Sequence, residues 1–308
     1  MINSESRPSL SVLLPVYNGG LYLERAIESI LKQSFTDFEL IIVNDNSSDD
    51  SEIIINNFND SRIIYLKNDV NKRTAFSLNR AIDHAKGKYL VRMDQDDICY
   101  PDRFLKQFEF MESHPHVGIS GTQMKTFGID HKSFVTEFPI DHDEIRLQQL
   151  YKSPFAHPTV IMRRSLLVDN DIRYEVNYIA EDYSLWSKLL PVTTAANLPE
   201  VLLDYRIHPK SITKTFFKRI FKEQKRIRLD YARDLFSIDT YLVKALYSPS
   251  YHLRKLAIAH LGRRQSLFSS KVYENVLQSF NNYFLDKLGW RYYLNRVKSK
   301  LSAIRIFK

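Results

Sequence analysis

The first hundred residues alternate short runs of β-branched and aliphatic residues with longer stretches whose apolar positions recur at helical spacing, and the runs end in polar residues. That alternation is the sequence sign of βαβ units, which require a mainly parallel sheet with helices on its faces. Residues 9–16 read as the first strand. After the turn at Asn18-Gly19-Gly20, Leu23, Ile27, Ile30 and Leu31 place one apolar face on a helix over 21–33. The pattern repeats with strands over 38–43, 62–66 and 88–93 and helices over 49–58 and 74–86, the latter closed by Gly87. In an open parallel sheet, ligands bind beyond the carboxyl ends of the strands. Tyr17-Asn18, Asn44-Asp45-Asn46 and the segment from Asp94 to Asp97 should therefore meet in one crevice.

Asp94, Asp96 and Asp97 give that crevice its chemistry. Carboxylates packed this closely repel one another and raise each other's pKa unless a cation or water relieves them. Hard oxygen ligands suit Mg²⁺ or Mn²⁺, and Mg²⁺ binds typically through one or two carboxylates plus substrate phosphates. A solvated acidic loop ahead of a helix opened by Pro101 is the alternative. No Gly-x-Gly-x-x-Gly follows the first strand and no Gly-Lys-Ser/Thr loop occurs, so a phosphate bound here would need a metal.

Beyond Pro101 a helix carries Phe104, Leu105, Phe108 and Met111, followed by a strand over 117–120. Residues 141–151 read as helix, 157–162 as strand, 181–190 as helix with Leu185, Trp186, Leu189 and Leu190 buried, and 201–207 as a last strand. Charge then divides the chain: residues 1–213 carry −7 and residues 214–308 carry +15, within a net +8. The expected organisation is a head over 1–213 and a basic, mostly helical extension over 214–308. A length of 308 residues with 44% hydrophobic content supports a core that needs no staples. Cys99, the single cysteine, excludes an internal disulfide framework and reads as a packing residue beside the acidic cluster. The polar start and the absence of a run of about 18 apolar residues argue against a secretion signal and a spanning helix. The expected location is cytoplasmic, peripheral on the inner face of the cell membrane.

The segments Val12-Leu-Leu-Pro-Val-Tyr-Asn18, Val43-Asn-Asp45, Asp94-Gln-Asp-Asp97 and Glu181-Asp182 stand in the order seen in family 2 glycosyltransferases, and the chain resembles that family over about residues 9–213. Its end, from Asn197 to His208, resembles the closing segment of bacterial members that build surface polysaccharides such as capsule and O-antigen. The resemblance implies a GT-A fold and an inverting, metal-dependent transfer of sugar from a nucleotide sugar, a UDP-hexose or UDP-N-acetylhexosamine, to a glycan acceptor on a lipid carrier. By the same resemblance, Pro15, Val16 and Tyr17 line the nucleotide pocket and Asp45 hydrogen-bonds the base. An ionised carboxylate only accepts, and uracil offers an imide N–H. Asp94, Asp96 and Asp97 correspond to the metal and ribose site, with Asp96, Asp97 and His208 as ligands to Mn²⁺ or Mg²⁺. Asp182 corresponds to the base that deprotonates the acceptor hydroxyl, and Glu181 to a residue that orients the loop or binds a sugar hydroxyl. Relatives often read Asn-x-Gly where this chain has Asn71-Lys72-Arg73, so a contact from Arg73 to the donor departs from the pattern.

In the extension, Lys218, Arg219, Lys222, Lys225, Arg226 and Arg228 are interleaved with Phe216, Phe217, Ile220, Phe221 and Ile227. Such an amphipathic helix suits an anionic membrane interface, each cation contributing on the order of 1 kcal/mol; packing on the head or on another subunit is the alternative. No nucleic-acid motif is present. Two other functions fit the fold less well, a non-catalytic glycan-binding or scaffold protein and a metal-dependent phosphohydrolase.

Overall fold

The computed structural model describes residues 7–128, 132–209, 211–236 and 244. The chain divides into two compact units, residues 1–149 with 153–227 and residues 150–152 with 228–308. The first is built from β1 (Leu10–Val16), α1 (Leu23–Leu31), β2 (Phe38–Asn44), α2 (Ser51–Asn56), β3 (Ile63–Lys67), α3 (Arg73–His84), β4 (Tyr89–Arg92), β5 (Ile98–Cys99), α4 (Arg103–Ser113), β6 (Val117–Phe127), β7 (Val135–Thr136), α5 (His142–Gln148), β8 (Ile161–Arg163), α6 (Arg164–Asp169), α7 (Glu181–Leu189), β9 (Thr194–Arg206) and α8 (Ile212–Thr215). A last helix, α9, runs over Phe217–Phe236. Most of the extension foreseen from the charge pattern lies outside the described residues.

The strands form one sheet in the order β3-β2-β1-β4-β8-β6-β9-β5, with β7 beside β6. β1 to β4 are parallel neighbours and β6 pairs β9 in parallel, whereas β8, β5 and β7 pair antiparallel. β1 and β2 are nearly continuous apolar runs because helices cover both faces of the sheet. Leu10, Val12, Leu14, Leu40, Ile42, Tyr89 and Val91 form the core with Leu23, Ile27 and Ile30 of α1 and Phe104 and Met111 of α4. Cys99 packs there too, its sulfur 3.3 Å from that of Met93, and burial pushes its thiol pKa up.

Three local expectations change. Residues 157–162 are a 3₁₀ turn, His157–Thr159, followed by the short β8, because Pro158 has no N–H to give to a ladder. β9 begins at Thr194, earlier than its apolar run, and jumps register at Pro199: Thr122 faces Leu198 while Gln123 faces Val201. Gly87 lies beyond the end of α3 and is not its left-handed cap; a Cβ there would come 2.6 Å from the backbone of Leu10 and Ser11, so glycine permits the close approach to β1.

Candidate active site

Strand register brings the polar endings together. Asn44 pairs with Val16 and Arg92 with Leu13, so Tyr17, Asp45 and Asp94 emerge along one edge of the sheet. The loops after β1 and β2 are stitched to each other. Asn18, at φ +48°, accepts on its Oδ1 from the Ser48 N–H at 2.8 Å, and the Gly19 and Gly20 amides donate to Ser51 Oγ and Asp49 Oδ2, both at 2.9 Å. The Gln95 amide closes the crevice, accepting from the Tyr17 N–H at 2.8 Å and donating to the Tyr17 carbonyl at 3.0 Å. Tyr17 is 48% exposed at the rim, Pro15 is partly covered, and the Val16 side chain, 1% exposed, belongs to the core.

Asp45 is buried. Its oxygens accept from Asn68 Nδ2 at 2.6 Å and from the amides of Lys72 and Arg73 at 2.8 and 2.7 Å, which pins the start of α3. A carboxylate has about four lone-pair sites, so an acceptor direction remains for a ligand N–H. Arg73 sits at φ +71°, in the left-handed region glycine favours. Its side chain is exposed.

Asp94, Asp96 and Asp97 follow β4, and one ligand atom of each lies within 4.8 Å of the others. The end of β9 and the residues just after it close the far side. The Arg206 N–H donates to Asp97 Oδ1 at 2.8 Å, Arg206 Nε donates to the Asp96 carbonyl at 2.8 Å, and His208 Nε2 lies 2.8 Å from Asp96 Oδ2. The Arg206 guanidinium is held between the rings of Tyr22 and Phe127, at 4.2 and 4.3 Å. Asp97 Oδ2 is buried with no hydrogen-bond partner among the described residues. Burial, then Asp94 and Asp96, push the Asp97 carboxyl well above its usual pKa; burial and Asp94 raise Asp96, against the pull of His208. An orphaned buried oxygen beside two more carboxylates fits a divalent cation, which would supply the missing partner. Asp96, Asp97 and His208 would hold it. As hydrogen-bonded here His208 serves Asp96, and ligation through Nε2 would need the proton on Nδ1.

Arg92 is the functional residue the sequence reading passed over. It lies inside the apolar run of β4, its side chain 4% exposed, and forms an ion pair with Asp94. Burial opposes its charge most, but Asp94, helped by Tyr174 and Glu181, leaves the guanidinium pKa raised. Its Nε has no hydrogen-bond partner among the described residues. On the other side stand Glu181 and Asp182, half-buried in the first turn of α7. Burial, then Asp182, push Glu181 up to about 8; burial likewise raises Asp182, opposed by the Tyr183 N–H at 2.7 Å and by Arg92. His157 and Tyr174 complete this wall, His157 Nε2 lying 2.9 Å from the Tyr174 hydroxyl, with the imidazole held neutral by burial and by Arg92. The sequence shows only an arginine at the end of an apolar run two residues before the Asp cluster, and its burial is a product of the fold.

A metal-suited carboxylate cluster and a second acidic pair thus share one crevice at the carboxyl edge of the sheet. The model of the family described as "Glycosyl transferase family 2" matches residues 11–170. The chain belongs to that family. It is 28% identical over 299 residues to an uncharacterized glycosyltransferase of Haemophilus influenzae, covering 92% of this chain and 90% of the relative. It is 32% identical to the O-antigen biosynthesis glycosyltransferase WbnJ of Escherichia coli (67% and 82% covered) and 30% identical to the amylovoran biosynthesis glycosyltransferase AmsE of Erwinia amylovora (66% and 78%). Among solved structures it is similar to S. aureus TarS in complex with UDP-GlcNAc, with a TM-score of 0.59, 19% identity and 92% and 91% of the two chains covered. It is also similar to the mannosyltransferase PcManGT of Pyrobaculum calidifontis in complex with GDP-Man and Mn²⁺, with a TM-score of 0.56, 17% identity and 91% and 86% covered. The fold is GT-A and the chain is a nucleotide-sugar glycosyltransferase. No helix among the described residues is long and apolar enough to cross a membrane.

Proposed function

We propose that this glycosyltransferase transfers a hexose or N-acetylhexosamine from a UDP-sugar, with inversion, to a glycan acceptor on a lipid carrier during surface-polysaccharide synthesis, with Asp182 as the base. What carries the reading is the pair of acidic groups around Arg92: Asp94, Asp96 and Asp97 on the donor side, Glu181 and Asp182 opposite. TarS with UDP-GlcNAc and the O-antigen and amylovoran relatives support the donor class and the pathway type.

The chain's residues divide the work by chemistry. Asp45 accepts the uracil imide N–H while Pro15, Val16 and Tyr17 border the base, Val16 through its backbone. Arg73 reaches the diphosphate from the exposed start of α3. Asp96, Asp97 and His208 hold Mn²⁺ or Mg²⁺ while Asp94, tied to Arg92, borders the ribose; a bound cation supplies electrostatic stabilisation of the negative charge that develops on the departing diphosphate. Asp182 takes the acceptor hydroxyl's proton as that oxygen attacks the anomeric carbon opposite the leaving group. Its burial makes it a stronger base than a free Asp of pKa near 3.9, and general-base catalysis of this kind contributes typically 10²–10⁴-fold. Glu181, protonated up to about pH 8, can donate a hydrogen bond to a sugar hydroxyl.

The test is donor binding across UDP-, GDP-, CDP- and dTDP-sugars, each with Mn²⁺, with Mg²⁺ and with EDTA. Metal-dependent binding of a UDP-sugar is the expected result; preference for another base would remove Asp45's assigned role.

Membrane attachment through α9 is part of the same proposal. Phe216, just before α9, and Phe217 and Phe221 within it are exposed together with Lys218, Lys222, Lys225 and Arg226, a combination suited to an anionic bilayer surface. Arg219, grouped with these cations in the sequence, pairs instead with Glu223 at 2.8 Å. Neutralising the other four should abolish co-sedimentation with phosphatidylserine vesicles, and retained sedimentation would refute this attachment.

A further inference from the structure

α9 does more than present cations. Glu223 Oε2 accepts from the amides of Ile179 at 2.7 Å and Ala180 at 3.0 Å, the two N–H groups directly ahead of Glu181 and Asp182. Its other oxygen accepts from Arg219 Nε at 2.8 Å, and Arg219 Nη2 donates to the Asn177 carbonyl at 3.1 Å. Ala180, Tyr183 and Ile227 bury against one another, with Tyr178 and Ile220 packed around them. The N-cap of α7 is Ala180, which has no side chain to cap the helix. The N-cap amide of Ala180 has no partner within the helix and the Ile179 amide lies ahead of it, so both depend on an acceptor from elsewhere. A carboxylate more than 40 residues away supplies that acceptor.

We propose that Glu223, braced by Arg219, is a positioning residue for the base: it fixes the entry into α7 and thereby where the Asp182 carboxylate stands over the crevice. This rests on the reading of Asp182 as the base. The same device starts α3, where Asp45 binds two consecutive amides, so the donor wall and the base wall are each held by one buried or half-buried carboxylate. A displacement of about 1 Å at a reacting group can cost about 10²-fold, so releasing the entry to α7 should act on turnover before it acts on donor binding.

The experiment compares full-length wild type, Glu223→Ala, Glu223→Gln and Asp182→Asn in UDP release from a panel of UDP-hexoses and UDP-N-acetylhexosamines, with water as the acceptor, alongside donor KM and thermal melts. Glu223→Ala should lose about tenfold or more in kcat with donor KM within about threefold of wild type. Glu223→Gln, which keeps an acceptor oxygen, should recover to within about threefold. The inference is overturned if Glu223→Ala keeps its kcat while Asp182→Asn is inactive, if its kcat falls only together with a rise of more than about threefold in donor KM, or if the glutamine variant is no better than alanine. A wild type silent on every donor, or an Asp182→Asn as active as wild type, overturns the reading of the base itself.

Discussion

Replacing Arg92 by methionine should give a loss of stability that grows with pH. Methionine fills most of the arginine's volume and removes the charge. The guanidinium sits 4% exposed against an Asp94 side chain that is 29% exposed. Removing one member of a fully buried pair costs about 3–5 kcal/mol; the partial exposure of Asp94 lowers the expectation to about 2–3 kcal/mol. The pH dependence follows from the neighbours. Burial raises the pKa of Asp96, Asp97, Glu181 and Asp182, and Arg92 opposes that rise in all four. Without Arg92 each climbs further. A carboxyl group with a raised native pKa leaves stability intact below its unfolded pKa and withdraws it as pH rises through the native value. The variant's deficit should therefore be smaller at pH 4.5 than at pH 8.5, where it should melt about 5–10 °C below wild type. Melts followed by circular dichroism at both pH values measure this. A deficit that is equal at both, or larger in acid, would refute the placement of Arg92 as their shared counter-charge.

Two further perturbations separate stability from function. Glu181→Gln should stabilise the protein at pH 9 and leave it unchanged at pH 4, because a native pKa of about 8 against 4.5 makes Glu181 withdraw stability as pH rises through that window; urea midpoints at the two pH values read this. Arg73→Gly should gain about 1 kcal/mol or less, since leaving φ +71° to glycine relieves about 1–2 kcal/mol and glycine's unfolded-state freedom takes back about half. The same variant should bind UDP-sugar more weakly by calorimetry, and unchanged donor affinity would remove Arg73 from the donor site.

The parallel half of the sheet was legible because β1, β2 and β4 are mostly apolar runs whose helices carry a clear apolar stripe. The antiparallel half was not. β8 has three residues after a proline turn, β5 has two, and β9 carries Pro199 in mid-strand, so their identity as strands lies in partners distant in sequence. The site divides in the same way. Asp94, Asp96, Asp97, Glu181 and Asp182 announce themselves as dense charge at element ends. Arg92 reads as an ordinary strand residue until the fold shows that both faces of β4 are covered. Tyr174 and Glu223 have no local pattern at all, since each acquires its partner through tertiary packing.

Donor binding and turnover measured side by side for wild type, Asp96→Ala and Asp182→Asn test the division into a metal-and-donor cluster and a base most directly. The account predicts that Asp96→Ala loses metal-dependent donor binding, whereas Asp182→Asn binds the donor like wild type and loses about 10²-fold or more in turnover. Equal loss of binding in both variants, or turnover unimpaired in Asp182→Asn, would contradict it.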